Sequence, residues 1–273
     1  MSALVCILPA HVTATRPSAT TRGRMHRVWS WATTLVFLPV FGTVMVVFDV
    51  AQRVAYAIGQ RPQEYVAGAL QWSLVRTFGI CGTRLFVERA PEVRPHTSYI
   101  IVSNHQSMFD VALLGGVMLT SYPKYVAKKE LARGLPSVSF HLREGGNAVI
   151  DRNNREQAIA AIRELGRKGE ERGVSVVIYP EGTRAREGRL KPFKLAGSLA
   201  LLEAAPNLAV VPVAIDGSFK LVRHRFLPVP FATRVRFHLG EPIPRTPHED
   251  REILLRLVED EIRTTVSRWR AAG

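Results

Sequence analysis

The stretch SYIIVS, at residues 98–103, is an apolar run with the length of one β-strand. Two further runs of this kind follow it along the chain, VSVVIY at residues 174–179 and AVVPVAI at residues 209–215. Apolar residues that continue without alternation are typical of strands buried on both faces, as in a parallel sheet covered by helices. These three runs therefore predict the centre of such a sheet.

Shorter β-rich segments alternate with helical segments around these runs, from residue 83 onward. The other predicted strands are residues 84–88, 125–127, 148–151 and 234–239. The predicted helices are residues 109–119, 155–168, 192–204 and 248–270. This alternation predicts a fold of the α/β class, with a mostly parallel sheet flanked by helices.

Residues 28–48, VWSWATTLVFLPVFGTVMVVF, carry no charge and have about the length needed to cross the hydrocarbon core of a bilayer. A signal peptide and a buried helix are the alternatives. The run is longer than a usual signal-peptide core, and a buried helix would present more polar residues on one face. We therefore interpret this segment as a membrane anchor.

A second, weaker apolar stretch covers residues 65–81, and basic residues flank both ends of the first stretch. A simple crossing of the membrane should instead place most basic residues on one side. We therefore favour an N-terminal hairpin of two apolar helices that enters one leaflet, over a helix that spans the bilayer. The predicted organisation is a flexible leader at residues 1–24, membrane-anchoring helices at residues 25–82 and an α/β domain at residues 83–273.

The chain of 273 residues has 37 basic and 23 acidic residues, a formal net charge of +14. This excess favours an anionic partner, such as a membrane surface, a phosphorylated substrate or a nucleic acid. No nucleic-acid-binding motif occurs, so we expect no nucleic-acid partner. The two cysteines, Cys6 and Cys81, predict neither a disulfide framework nor a metal site, and they fit a reduced, cytosol-facing domain.

Residues 103–110, SNHQSMFD, follow a predicted strand and enter a predicted helix. On one continuous helix, His105 and Asp110 would point about 140° away from each other. If His105 instead lies in the turn before the helix, Asp110 can hold one ring nitrogen protonated and leave the other to accept a proton. On these residues alone, a helix-capping loop with a hydrogen-bonded histidine remains the preferred interpretation.

Residues 179–184, YPEGTR, also follow a predicted strand, at the kind of position where α/β sheets bind ligands. Gly182 permits a close backbone approach, and the planar fork of Arg184 suits a phosphate. The alternative is a surface turn, since Pro-Glu-Gly is common turn chemistry. Residues 148–152, AVIDR, and Lys128 carry further cations at strand ends. Four such groups together are candidates for one site.

These segments resemble, in order and spacing, the 1-acylglycerol-3-phosphate acyltransferase family, the PlsC-type glycerolipid acyltransferases. The resemblance runs from about residue 28 to residue 240. Its motifs are NHQSMFD at residues 104–110, GNAVIDR at 146–152, YPEGTR at 179–184 and VPVAI at 211–215.

The resemblance implies direct transfer of a fatty acyl group from acyl-CoA or acyl-carrier protein to the sn-2 hydroxyl of lysophosphatidic acid, giving phosphatidic acid. It implies that His105 is the general base and that Asp110 orients it. It also implies a substrate site, with the cations holding the acceptor phosphate, made of Lys128, Arg152, Glu181, Gly182, Thr183 and Arg184. Apart from the thioester co-substrate, it implies no cofactor and no metal.

We therefore expect an enzyme of the 1-acyl-sn-glycerol-3-phosphate O-acyltransferase type, located in the cell inner membrane with its catalytic domain facing the cytoplasm. The expected partners are the phospholipid membrane, a lysophospholipid acceptor and an acyl thioester donor. The alternatives are an acyltransferase for another lysolipid or a glycolipid, and a non-catalytic protein that binds anionic membranes.

Overall fold

The computed structural model describes residues 19–224 and 226–272. These residues form one seven-stranded sheet with helices on both faces. The strands are β1 (Arg84–Arg89), β2 (Ile100–Ser103), β3 (Lys124–Lys128), β4 (Ala148–Ile150), β5 (Val176–Ile178), β6 (Val210–Asp216) and β7 (Arg234–Leu239). All seven predicted strands are confirmed, with ends that shift by a few residues.

The helices of the described chain are α1 (Ala19–Ile58), α2 (Gln60–Thr77), α3 (Asp110–Val117), α4 (Val138–Glu144), α5 (Arg155–Arg172), α6 (Leu195–Ala204) and α7 (Arg251–Ala271). Helix α5 runs four residues past its predicted end, because Gly173 adopts the left-handed conformation that terminates it. Helix α4 was not predicted. The predicted leader lies outside the described residues up to residue 18, and residues 19–24 belong to α1.

The strand order is β1-β7-β6-β2-β5-β3-β4, and every neighbouring pair is parallel except β6 and β7. The sheet is therefore mostly parallel, as predicted. The loops after β2, β5, β3 and β4 all leave the same edge of the sheet, since the carboxyl ends of parallel strands lie together. These loops carry the candidate site residues.

The apolar runs are continuous because both faces of the central strands are covered. On β2, Ile100 and Val102 are fully buried against α5, α6 and α7. Ile101, between them, is fully buried on the opposite face in a cluster with residues of α3 and α1. Each residue of such a strand must be apolar, which is the pattern that the sequence displays.

The predicted N-terminal helix hairpin is present, and its two helices differ in character. In the described chain, Gly23–Ile58 is the one helical segment long and apolar enough to cross a membrane, and only 11% of its most apolar part is buried. Helix α2 instead buries Ala67, Leu70 and Leu74 and packs against α3. This close packing requires a glycine at position 115, where a Cβ would collide with Gln71. Helix α2 thus shares the core of the α/β domain.

Candidate active site

His105 lies in the turn between β2 and α3, and Asp110 is the first residue of α3. Because the histidine precedes the helix, the two side chains meet, with His105 Nδ1 2.9 Å from Asp110 Oδ2. A carboxylate only accepts hydrogen bonds, so Nδ1 must carry the proton. In the neutral imidazole the other ring nitrogen, Nε2, then has a lone pair that can accept a proton.

The Asp110 carboxylate is completely buried and held in place by the backbone of the same turn. Its Oδ2 accepts hydrogen bonds from the backbone N–H groups of Gln106, at 2.6 Å, and Ser107, at 2.8 Å. These bonds cap the turn while the same oxygen accepts from His105. The His-Asp contact and a hydrogen-bonded turn therefore occur together, although the N-cap residue of α3, Phe109, makes no side-chain capping bond.

The ring of Tyr179 stacks on the ring of His105, with centroids 4.2 Å apart and planes 21° apart. Burial, together with the nearby Asp110 carboxylate, raises the pKa of Tyr179 well above its ordinary value. Its hydroxyl is buried and has no hydrogen-bond partner within the described parts of the chain. Tyr179 was not among the site residues predicted from the sequence, although it begins the YPEGTR motif. Its position at the end of a buried strand was the signal that could have identified it.

Glu181 supports the His105 turn from the neighbouring strand. Its Oε1 accepts the backbone N–H of His105 at 2.8 Å, and its Oε2 accepts that of Lys191 at 3.0 Å. Burial raises the pKa of this carboxyl. Glu181 was predicted to belong to the substrate site. In the structure, its carboxylate accepts hydrogen bonds from the backbone of the His105 turn and of the loop that carries Lys191.

Gly182 has φ +67°, in the left-handed region that favours glycine. A Cβ at this position would lie 3.4 Å from the Lys194 side chain. The next residue, Thr183, accepts a hydrogen bond from Lys191 Nζ at 2.8 Å. Sequence reasoning missed both lysines, which follow the YPEGTR motif by only a few residues.

The predicted phosphate-binding cations lie along the same edge of the sheet. Lys128 ends β3 and is half-buried, whereas Arg152, after β4, and Arg184, after β5, are exposed. Partial desolvation and the charge of Arg184 lower the pKa of Arg152, whereas the charge of Glu130 opposes this shift. None of the three forms an ion pair with another described residue, whereas the adjacent Lys129 and Asp151 pair at 2.5 Å. Cations that form no ion pair can bind an anionic ligand.

Asn104 links the His105 turn to strand β6 by hydrogen bonds. Its buried side chain donates to the carbonyl of Ile215 at 2.9 Å and accepts from the N–H of Ile215 at 2.7 Å. The first motif is therefore tied to the fourth, VPVAI, on the adjacent strand β6.

Residues 84–216 match the family model described as Acyltransferase. The chain is similar to 1-acyl-sn-glycerol-3-phosphate acyltransferases from Escherichia coli, with 27% identity over 52% of this chain and 60% of that protein, and from Limnanthes douglasii, with 28% identity over 75% and 69%. The human beta form is 33% identical over 50% of this chain and 48% of its own length. The chain thus matches about half to two thirds of the length of these relatives.

In fold, the chain is similar to the crystal structure of the 1-acyl-sn-glycerophosphate acyltransferase PlsC from Thermotoga maritima. The TM-score is 0.70 and the identity 22%, over 90% of this chain and 98% of that chain. Residues 84–216 thus match the acyltransferase family.

Proposed function

We propose that this protein transfers a fatty acyl group from an acyl thioester to the sn-2 hydroxyl of lysophosphatidic acid, giving phosphatidic acid. The observation that carries the proposal is the 2.9 Å contact between His105 Nδ1 and the buried Asp110 carboxylate. The names of the curated relatives support the choice of acceptor.

In the proposed reaction, His105 Nε2 accepts the proton of the acceptor hydroxyl while the hydroxyl oxygen attacks the thioester carbonyl carbon. When the tetrahedral intermediate collapses, the carbon–sulfur bond breaks, and the sulfur leaves as a thiolate that takes the proton from His105. The new ester and a free thiol result. The Asp110 carboxylate stabilises the imidazolium that forms between the two steps. General-base catalysis of this kind contributes roughly 10²–10⁴-fold to the rate.

The acceptor phosphate binds Lys128, Arg152 and Arg184 in this proposal. Arginine forks bind phosphate oxygens in pairs, and a bound phosphate relieves the repulsion between the two guanidinium groups. Gly182 and Thr183 lie in the same loop as Arg184 and complete this part of the site.

Helix α1 attaches the enzyme to the membrane in this proposal. Its exposed apolar residues include Trp29 and Trp31 near its N-terminal end, a residue type that favours the membrane interface. The net charge of +14 attracts the domain to the anionic cytoplasmic leaflet. We therefore place the protein at the cell inner membrane, with its catalytic domain facing the cytoplasm.

The test is to incubate detergent-purified protein with labelled acyl-CoA or acyl-carrier protein and a panel of lysolipids, and to identify the product. His105→Ala should abolish transfer and leave the circular dichroism spectrum unchanged. Met108→Ala changes an exposed side chain of the same turn and should retain activity. If His105→Ala retains wild-type turnover, this histidine is not the base. A non-catalytic membrane-binding protein would form no product with any acceptor.

A further inference from the structure

A second cationic surface borders the His105 turn on the side of β6. It lines a cavity of about 740 Å³. The His105 turn contributes Gln106 and Ser107 to the wall, and the segment after β6 contributes Phe219, Lys220 and Arg223. The cavity therefore borders the turn that carries the proposed base.

The wall of this cavity carries more positive than negative charge. Arg186, Lys220 and Arg223 line it together with Arg184, and Glu187 is the acidic residue among the lining residues. Within the part of the chain that the structure describes, Arg186, Lys220 and Arg223 form no ion pair. Lys220 Nζ lies 5.8 Å from the centre of the Phe219 ring, an aromatic contact that leaves its charge unneutralised. Such a wall suits a ligand with phosphate groups.

The strand order separates Lys220 and Arg223 from Lys128 and Arg152, and Arg184, which also lines the cavity, lies between the two groups. Strand β6 lies on one side of β2, whereas β5, β3 and β4 lie on the other. Lys220 and Arg223 therefore follow the strand on one side of β2, and Lys128 and Arg152 follow strands on the other side. Direct acyl transfer requires both substrates at His105 at the same time, so the donor needs a place that the acceptor does not occupy.

An aromatic surface continues from the cavity towards α1. Phe226, which lines the cavity, contacts Phe109 with ring centroids 6.0 Å apart, and Phe109 contacts Phe41 of α1 at 6.2 Å. A ligand in the cavity thus has cations for phosphate groups and, beside them, an apolar path towards the exposed apolar helix. This combination matches an acyl thioester whose thiol is carried on a phosphorylated arm.

We infer that this cavity binds the phosphopantetheine arm of the acyl thioester donor, with Lys220 and Arg223 on its phosphate groups. The inference rests on the proposed function, which supplies the thioester. Both possible donors share this chemistry: coenzyme A carries the arm as a free molecule with further phosphates, and a carrier protein carries it on a serine.

The experiment uses the double variant Lys220→Gln/Arg223→Gln in the full chain. The matched control is Arg163→Gln/Arg256→Gln, which removes the same charge from exposed faces of α5 and α7, outside the cavity lining. The readouts are the KM for acyl-CoA, for acyl-carrier protein, for acyl-pantetheine without a phosphate and for lysophosphatidic acid. A fifth readout is the direct binding of coenzyme A without an acyl chain.

We expect the KM of the phosphorylated donor to rise roughly tenfold or more, as for the loss of charge-assisted hydrogen bonds to phosphate. The KM values for acyl-pantetheine and lysophosphatidic acid should stay at wild-type values, and the control should behave as wild type. If the KM for acyl-CoA rises and coenzyme A binds more weakly, acyl-CoA is the donor. If only the KM for acyl-carrier protein rises, the donor is the acyl group on the carrier protein.

Unchanged donor KM values would overturn the inference, and so would a rise confined to lysophosphatidic acid, which would make the cavity the acceptor site. Failure of the proposed function gives a different result. If the wild type acylates no acceptor but still binds coenzyme A at least tenfold more tightly than the double variant, the acyl-transfer proposal fails and the cavity remains a phosphopantetheine site.

Discussion

Replacing Glu64 by glutamine tests whether a buried ion pair joins the helix hairpin to the catalytic domain. Glu64 lies on α2, and its side chain is fully buried. Its carboxylate lies 2.9 Å from Lys124 Nζ on β3 and 2.7 Å from Arg172 at the end of α5. Glu64→Gln keeps the shape of the side chain and removes the charge. The Lys124 side chain, only 3% exposed, is then left without its carboxylate.

Removing one partner of a buried ion pair lowers the free energy of unfolding by about 3–5 kcal/mol. Arg172 is 27% exposed and can turn towards water, so Lys124 causes most of this loss. Burial already lowers the pKa of Lys124 to about 8, although Glu64 opposes the shift. Without Glu64 the pKa falls further, so Lys124 can lose its proton near neutral pH at a small cost in free energy. Because Lys124 can lose its proton, we expect Glu64→Gln to lower the free energy of unfolding by about 3 kcal/mol, the lower end of this range.

The effect should depend on pH, because Lys124 binds its proton less tightly in the folded than in the unfolded chain. Above the unfolded pKa of about 10.4, Lys124 is neutral in both the folded and the unfolded chain, and its burial then lowers stability least. In the wild type, the free energy of unfolding falls as the pH falls from there to the folded pKa of about 8. Without Glu64 the folded pKa falls further, and this window extends to lower pH. Between the two folded pKa values, the variant should regain about 1.4 kcal/mol on the wild type for each pH unit.

The assay is urea unfolding in non-ionic detergent, followed by far-ultraviolet circular dichroism at pH 6, 7 and about 8. The control is Glu203→Gln, whose carboxylate lies 2.9 Å from Arg163 while both side chains are 55% exposed. We expect a loss below about 1 kcal/mol there, with no pH dependence. Glu64→Gln/Lys124→Met should recover most of the stability, since the buried charge is gone. If Glu64→Gln costs no more than Glu203→Gln at every pH, the reasoning is refuted.

Three other substitutions test the site itself. Asp110→Asn should lower kcat roughly 10²–10⁴-fold with little change in KM, because an amide does not stabilise the imidazolium; unchanged initial rates would contradict the role of Asp110. Arg184→Ala should raise the apparent KM for lysophosphatidic acid roughly tenfold, but not that for an uncharged monoacylglycerol, and equal effects on both would argue against a phosphate contact. Asn104→Ala should lower the free energy of unfolding by about 2–4 kcal/mol in urea titrations, since the N–H and carbonyl of Ile215 lose buried partners; a loss below about 0.5 kcal/mol would show that these groups find others.

The strands could be predicted because their signal is local. A strand covered on both faces needs an apolar side chain at every position, and SYIIVS displays this requirement in six consecutive residues. The ends of parallel strands face one edge, so the sequence also predicted that the cations at strand ends would lie together. Helix α4 has seven residues and was missed, because so short a segment shows too little periodicity.

The meeting of His105 with Asp110 was open from sequence alone, because it depends on where α3 begins. A start five residues earlier would turn the two side chains apart. The observed start is at Asp110 itself, and its carboxylate accepts hydrogen bonds from the backbone N–H groups of Gln106 and Ser107 in the turn before the helix. In the YPEGTR segment, Glu181 is buried against the backbone of the His105 turn, whereas Thr183 and Arg184 are exposed, and the substrate role of the segment stays a prediction.

The sequence by itself determined the class of fold, the strands and the chemical groups at their ends, because each is written in residues that are neighbours along the chain. Only the tertiary structure decided which of these groups touch. Strand β2 lies between β5 and β6, which are more than 70 positions further along the chain. This order stacks Tyr179 on His105 and lets the Glu181 carboxylate accept the backbone N–H of His105. The tertiary structure also pairs Glu64 of helix α2 with Lys124 of strand β3, and no periodicity in the sequence predicts this contact. Contacts between distant segments depend on how the whole sheet and its helices pack, and packing is not a local property of the chain.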